Sequence, residues 1–122
     1  TIKDYVSAKE KIINRMGTIL NPLITDCKLN NHQLLVYGAG DHSVHLFSHF
    51  LLENHVINYV DSDPKKWGTK FRGKLVLEPH AIGDITDATV IISSHDYEDE
   101  IMNTINKHNS NSLPVICLYN YT

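Results

Sequence analysis

The chain has 122 residues, long enough for one buried core and too short for two ordinary domains. With 42% hydrophobic and 20% charged residues it has the composition of a soluble globular protein, without low-complexity, collagen-like or disordered bias. A formal net charge of −3 provides no broad basic field for a nucleic acid, so that class of partner is disfavoured.

Cys27 and Cys117 lie far apart and in no zinc or redox spacing, which points to reduced thiols in a cytoplasmic protein. No apolar run approaches the ~20 residues that span a bilayer, and the N-terminus has no signal-peptide pattern. The first residue is Thr1 rather than Met, consistent with processing or with a domain cut from a larger polypeptide.

Apolar side chains at Tyr5, Val6, Ile12, Ile13, Met16, Ile19, Leu20, Leu23 and Ile24 recur close to the helical period and predict a helix over 2–29 with one apolar face. Pro22 predicts a kink, or a restart with Asn21 as N-cap. The segment 1–30 is expected to pack on the flank of a sheet in residues 31–122, or to connect them to an upstream domain or a partner in a homodimer. Asn30, Asn31 and His32 form the polar turn that follows.

The organising stretch is Leu34-Leu35-Val36-Tyr37-Gly38-Ala39-Gly40-Asp41-His42-Ser43. An apolar run predicts a buried strand, the glycines allow a tight bend and a close approach to the main chain, and a helix should start immediately afterwards. The first amides of such a helix, with its dipole, favour an anion just outside it. The full dinucleotide fingerprint would carry a third glycine where this chain has Ser43. The alternative is a strand-to-helix turn that binds nothing.

Residues 42–53 predict the first crossover helix, with Val44, Phe47, Phe50 and Leu51 on the sheet side and His42, His45 and His49 on the opposite arc. Three histidines on one face invite a metal reading, but no acidic or cysteine partners are evident nearby, so a solvated face is preferred and no metal is assigned. Residues 56–60 predict the second strand, ending at Asp61-Ser62-Asp63-Pro64. An acidic residue about twenty positions after the glycine turn is placed to hold ribose hydroxyls, which makes Asp61 a candidate. Equally, Asp61 and Asp63 are good formers of an Asp-Pro turn.

Residues 65–74 read as a basic, glycine-punctuated loop that offers a clamp for a phosphate or a base, or, as is commoner, a solvated loop with Trp67 folded over the sheet edge to hide its ring. A short third strand at 75–77 and one helical turn at 78–82 follow. The β-branched run at 89–92 predicts a central parallel strand, ending in Ser93-Ser94-His95-Asp96. Adjacent serine and histidine side chains seldom face each other and no strained nucleophile turn surrounds them, so no catalytic residue is assigned. Ser94 or Asp96 is expected to cap a helix over 97–107, with a loop at 109–112 and a closing strand at 114–119.

These elements predict a three-layer α/β sandwich whose parallel sheet has about five strands in the order 3-2-1-4-5, joined by right-handed crossovers. In that order the ends of the first, second and fourth strands meet at the switch point. The candidate ligand-contacting residues are therefore Gly38, Ala39, Gly40, Asp41, His42, Asp61, Ser93, Ser94 and His95.

The segments Val36-Tyr37-Gly38-Ala39-Gly40-Asp41-His42, Tyr59-Val60-Asp61-Ser62-Asp63-Pro64, Trp67-Gly68 through Gly73, and Val90-Ile91-Ile92-Ser93-Ser94 resemble the Rossmann-like N-terminal domains of bacterial sugar-nucleotide acyltransferases. Similar domains accompany glycan-modifying methyltransferases and epimerase-like proteins of surface polysaccharide pathways. The resemblance covers roughly residues 34–118. It implies a domain that holds the nucleotide part of a UDP-sugar while a covalently attached transferase domain carries the chemistry. Gly38, Gly40 and His42 then match the phosphate-side turn, and Asp61 the acidic end of the second strand. Asp41 departs from the small residue usual in that turn and adds a negative charge, and the chain carries no hexapeptide repeats.

The function expected is that of a non-catalytic module binding a nucleotide or nucleotide-sugar, with NAD and S-adenosylmethionine as the other ligands of that class. A degenerate domain that only docks an attached transferase is the competing reading, and Asp41 with Ser43 favours it. An autonomous oxidoreductase or methyltransferase is the weaker expectation, because 122 residues leave no room for a separate substrate domain over the crevice.

Overall fold

The computed structural model describes residues 2–119, with side chains from Glu10 onward. Three α-helices, α1 (Ile2–Asn30), α2 (Asp41–His49) and α3 (Glu98–His108), accompany six strands: β1 (Leu34–Tyr37), β2 (Val56–Val60), β3 (Lys70–Phe71), β4 (Lys74–Leu77), β5 (Thr89–Ile92) and β6 (Val115–Cys117). Short 3₁₀ turns occur at Glu53–His55, Pro64–Lys66 and Pro79–Asp84.

The strands form one sheet in the order β3-β4-β2-β1-β5-β6. All pairings are parallel except β3 with β4. Counting β4 as the third predicted strand, the parallel part has the expected order. The additional strand, β3, comes from the segment 65–74 predicted as a loop. Arg72 and Gly73 adopt φ values of 49° and 82°, the two positive angles of a two-residue hairpin turn that matches strand twist. Arginine is a poor advertisement for such a turn. It is held there by a bidentate bond to Glu53, with Arg72 Nη2 donating to Oε2 at 2.9 Å.

Alternation along the strands divides the core into two. Leu34, Val36, Tyr59 and Ile91 face α1 and α2, packing with Met16, Leu20, Cys27, Leu46 and Phe47. Leu35, Tyr37, Val60, Val90 and Ile92 face α3 and the turn at Pro79–Asp84, packing with Ile82 and Ile105. Burial on both faces explains why β1 is an uninterrupted apolar run and β5 a continuous β-branched one.

α1 runs unbroken through Pro22 instead of restarting there. It buries Met16, Leu20 and Cys27 in the first core, so its packing on the sheet flank outweighs the lost backbone bond. α2 stops at His49, earlier than expected, because Phe50 turns into extended backbone. Its inner face is Ser43, Leu46 and Phe47, followed by buried Phe50, whereas Val44 and Leu51 are exposed at 39% and 77%. The predicted arc was thus rotated. His45 and His49 are exposed as expected, but His42 turns inward. The Trp67 ring also stays 37% exposed, and its indole Nε1 donates to Asp61 O at 2.7 Å, so it ties down the loop instead of hiding on the sheet.

Candidate functional site

The register brings the site together. Leu77, Val60, Tyr37, Ile92 and Cys117 form the last rung across the parallel strands. The next residue on the inner strands is therefore Asp61, Gly38 or Ser93, side by side at the carboxyl rim. Backbone bonds carry the ladder that far, with Gly38 N donating to Val60 O at 2.7 Å and Ser93 N to Tyr37 O at 2.9 Å.

Gly38 is dictated twice over. Its φ is +129°, and a Cβ there would lie 2.6 Å from the carbonyl oxygen of Ser93. Ser43, where the fingerprint has its third glycine, is fully buried, and its hydroxyl lies 2.6 Å from Gly38 O and 2.8 Å from Ser93 Oγ. The side chain that departs from the pattern thus closes the turn onto β5.

A chain of hydrogen bonds leads outward from there. His42 Nδ1 lies 2.7 Å from Ser93 Oγ, and Nε2 lies 2.5 Å from the Tyr119 hydroxyl. The Gly38 carbonyl can only accept, so the single Ser43 proton goes to it. Ser93 then donates to Ser43 and accepts from His42 Nδ1–H, so a neutral imidazole presents Nε2 as the acceptor of the Tyr119 hydroxyl proton. Burial, followed by His95 and His45, lowers the His42 pKa from its usual value, in agreement. Tyr119 is positioned by Glu98, a 5% exposed carboxylate in the first turn of α3 whose Oε2 accepts from Leu118 N at 2.7 Å and Tyr119 N at 3.0 Å. The His95 and Tyr119 rings meet edge to face, with centroids 4.6 Å apart.

Asp61 serves the turn directly. Its Oδ2 accepts from Ala39 N and its Oδ1 from Asp63 N, both at 2.9 Å. Asp63 in turn accepts from Lys65 N at 3.0 Å. Both aspartates therefore form turns. The carboxylate of Asp61 retains acceptor capacity, since two oxygens offer about four lone-pair sites. Lys66 reaches across, its Nζ donating to Ala39 O at 2.8 Å and lying 3.6 Å from Asp61 Oδ2.

Above the rim is an open cleft of about 700 Å³. All nine predicted residues, Gly38, Ala39, Gly40, Asp41, His42, Asp61, Ser93, Ser94 and His95, line it. It is also lined by Lys66, from the basic loop read as offering a phosphate or base clamp, and by Tyr37, Ser62, Asp96, Tyr97, Glu100, Ile101 and Thr104, which sequence reasoning did not assign to a ligand. The Tyr37 hydroxyl forms part of the floor, 2.5 Å from Ser62 Oγ, and burial raises its pKa. Ser94 accepts from Tyr97 N at 3.2 Å and so shapes the entry to α3, while Tyr97 is the N-cap residue. Ser93 bonds to His42 and His95 bonds to Asp96, so no serine and histidine of this segment pair with each other. Among the described residues no group of three or more His, Cys, Asp or Glu is placed to hold a metal ion. None of their helices is long and apolar enough to cross a membrane.

The family signature coincides with this architecture, matching residues 30–115, from the end of α1 to the start of β6. The chain belongs to the C2185-like N-terminal family. No curated protein matches the sequence. Among solved structures it is similar to UDP-D-quinovosamine 4-dehydrogenase from Vibrio fischeri, at 22% identity and a TM-score of 0.54, over 70% of this chain and 76% of that one. It is also similar to RSP in complex with β-NADH, at 16% identity and a TM-score of 0.57, over 82% of this chain and 52% of RSP. RSP in complex with β-NAD+ and operator DNA matches at 15% identity and a TM-score of 0.57, over 86% and 52%. This chain therefore spans about half of RSP, a Rex-family repressor. At these identities the likeness is one of fold, a Rossmann-like α/β domain with an added N-terminal helix.

Proposed function

We propose that this chain is a nucleotide-binding module that supplies affinity and orientation while an attached domain supplies chemistry. The observation that carries the reading is the open cleft at the carboxyl rim, where Gly38, Asp61 and Ser93 converge at the strand switch point. The solved structures of similar fold include one named for a UDP-sugar dehydrogenase and one holding NADH, which supports a ligand of nucleotide class. Within that class a nucleotide-sugar is the preferred ligand. Its ribose would use the free lone pairs of Asp61, and its phosphate would approach the glycine turn. The resemblance to domains of sugar-nucleotide acyltransferases and glycan-modifying methyltransferases favours a parent protein of that kind. The net charge of −3 favours a small ligand over nucleic acid.

A second reading is that the cleft is vestigial and the domain docks a transferase. The engagement of both His42 ring nitrogens and both Asp61 oxygens inside the protein favours it. A thermal-shift panel of UDP-sugars, NAD, S-adenosylmethionine and CoA separates the two. A ligand at about a hundred times its Kd adds about 2.7 kcal/mol. The module reading predicts such a rise for one member of the panel, and no rise for any member supports the docking reading.

A further inference from the structure

The glycine turn contains one residue whose small size the backbone does not demand. Gly40 has φ −158°, extended backbone that any residue adopts, and a Cβ there would meet only Lys66 Nζ, at an ordinary contact distance of 3.5 Å. The missing side chain leaves a hollow whose nearest wall is an ammonium group. That ammonium is already held, with one donor on Ala39 O and Asp61 Oδ2 at 3.6 Å. Lysine has three donors, so even with one turned toward Asp61 another remains for a ligand. The segment is fixed on both sides of Lys66, by Asp63 accepting from Lys65 N and by Trp67 donating to Asp61 O. Among the described residues lining the cleft, Lys66 is the one lysine or arginine, against the carboxylates of Asp41, Asp61, Asp96 and Glu100. An incoming phosphate therefore has one fixed cation to meet, and its site is the hollow beside Gly40.

From this we propose that Lys66 is the specificity-determining residue of the cleft, through which a phosphorylated nucleoside is taken in preference to the nucleoside alone. The proposal rests on the nucleotide reading above and adds the group that reads the phosphate. Calorimetric titration of the full chain with uridine and UDP, and with adenosine and ADP, tests it. For the preferred base, the nucleotide should bind the wild-type chain at least about tenfold tighter than its nucleoside. That ratio should fall to about one in Lys66→Gln, survive in Lys66→Arg, and shrink with added salt. Gly40→Ala, whose methyl group fills the hollow, should lower the ratio while the melting temperature stays near wild type. A ratio unchanged in natively folded Lys66→Gln overturns the assignment. If Lys66→Gln loses its native melting transition, an unchanged ratio in Gly40→Ala does the same. Equal nucleoside and nucleotide affinity in the wild type overturns the role of Lys66 alone. Failure of all four compounds to bind at about 1 mM overturns the nucleotide reading with it.

Discussion

Replacing Gly38 by alanine is expected to destabilise the fold far more than the same replacement at Gly40. At Gly38 the new residue must hold φ +129°, a strained region worth about 1–3 kcal/mol. Its Cβ would also stand 2.6 Å from the Ser93 carbonyl oxygen, so the end of β5 must shift, a further overpacking cost of about 1–3 kcal/mol. A combined loss of about 2–6 kcal/mol follows from the two effects. With about 2.1 cal/mol/K of unfolding entropy per residue over 122 residues, this lowers the melting temperature by about 8–23 °C. At Gly40 the backbone is extended and the contact ordinary, so only the weaker N-cap propensity of alanine acts, about 1 kcal/mol or less. The pair shares the gain from reduced unfolded-state freedom, which cancels in the comparison. Differential scanning calorimetry of the two variants gives the result directly. A Gly38→Ala protein that melts within about 3 °C of wild type would refute the close approach of β1 to β5 at the rim.

Three further outcomes are expected. The Tyr59 hydroxyl is buried without a hydrogen-bond partner among the described residues, and burial pushes its pKa up to about 12. Tyr59→Phe removes a polar group that costs about 1–3 kcal/mol to leave unpaired, so urea denaturation should show a stabler protein, and a loss of stability contradicts the assignment. Because burial lowers the His42 pKa, the unfolded chain takes up that proton first as pH falls. The contribution of neutral His42 is then complete above about pH 6.5 and lost as pH falls through the lowered folded value. Denaturation midpoints at descending pH should fall less steeply in His42→Gln than in wild type, and parallel slopes would sink the idea. Asp61→Ala leaves the amide of Ala39, a 4% exposed residue, without its acceptor, and should lose about 1–3 kcal/mol even without ligand. Unaltered ligand-free stability would show that the carboxylate does not hold the turn.

What the sequence revealed was what short-range chemistry controls. The apolar runs of β1 and β5, the paired glycines, and the acidic end of β2 are local signals, and the register of a parallel sheet turns them into one rim. The rotation of α2 was misread because Phe50 continues the apolar period after the helix has ended, which pulled Val44 and Leu51 into the inward arc. The hairpin of β3 and β4 went unseen because its turn places arginine at a positive φ, and the partner that compensates, Glu53, lies nineteen positions away. His42 looked solvated on a helical wheel, but its position depends on Ser93 and on Tyr119, 77 residues further along the chain. The basic loop at 65–74 offered a phosphate or base clamp without singling out Lys66, which the 3₁₀ turn at Pro64–Lys66 carries back over Ala39. For Asp61 the two readings of its type were both physical, and the observed bonds realise the turn-forming one in full.

Amide chemical-shift mapping of the labelled protein during titration with UDP and with NAD tests most directly whether the cleft at the carboxyl rim is a working ligand site. The prediction is a saturable response of the amides from Gly38 to Ser43 and from Ser93 to His95, leaving Ile12, Met16 and His49 in the groove between α1 and α2 unmoved. Spectra unchanged at about 1 mM of either compound, or shifts confined to that groove, would contradict it.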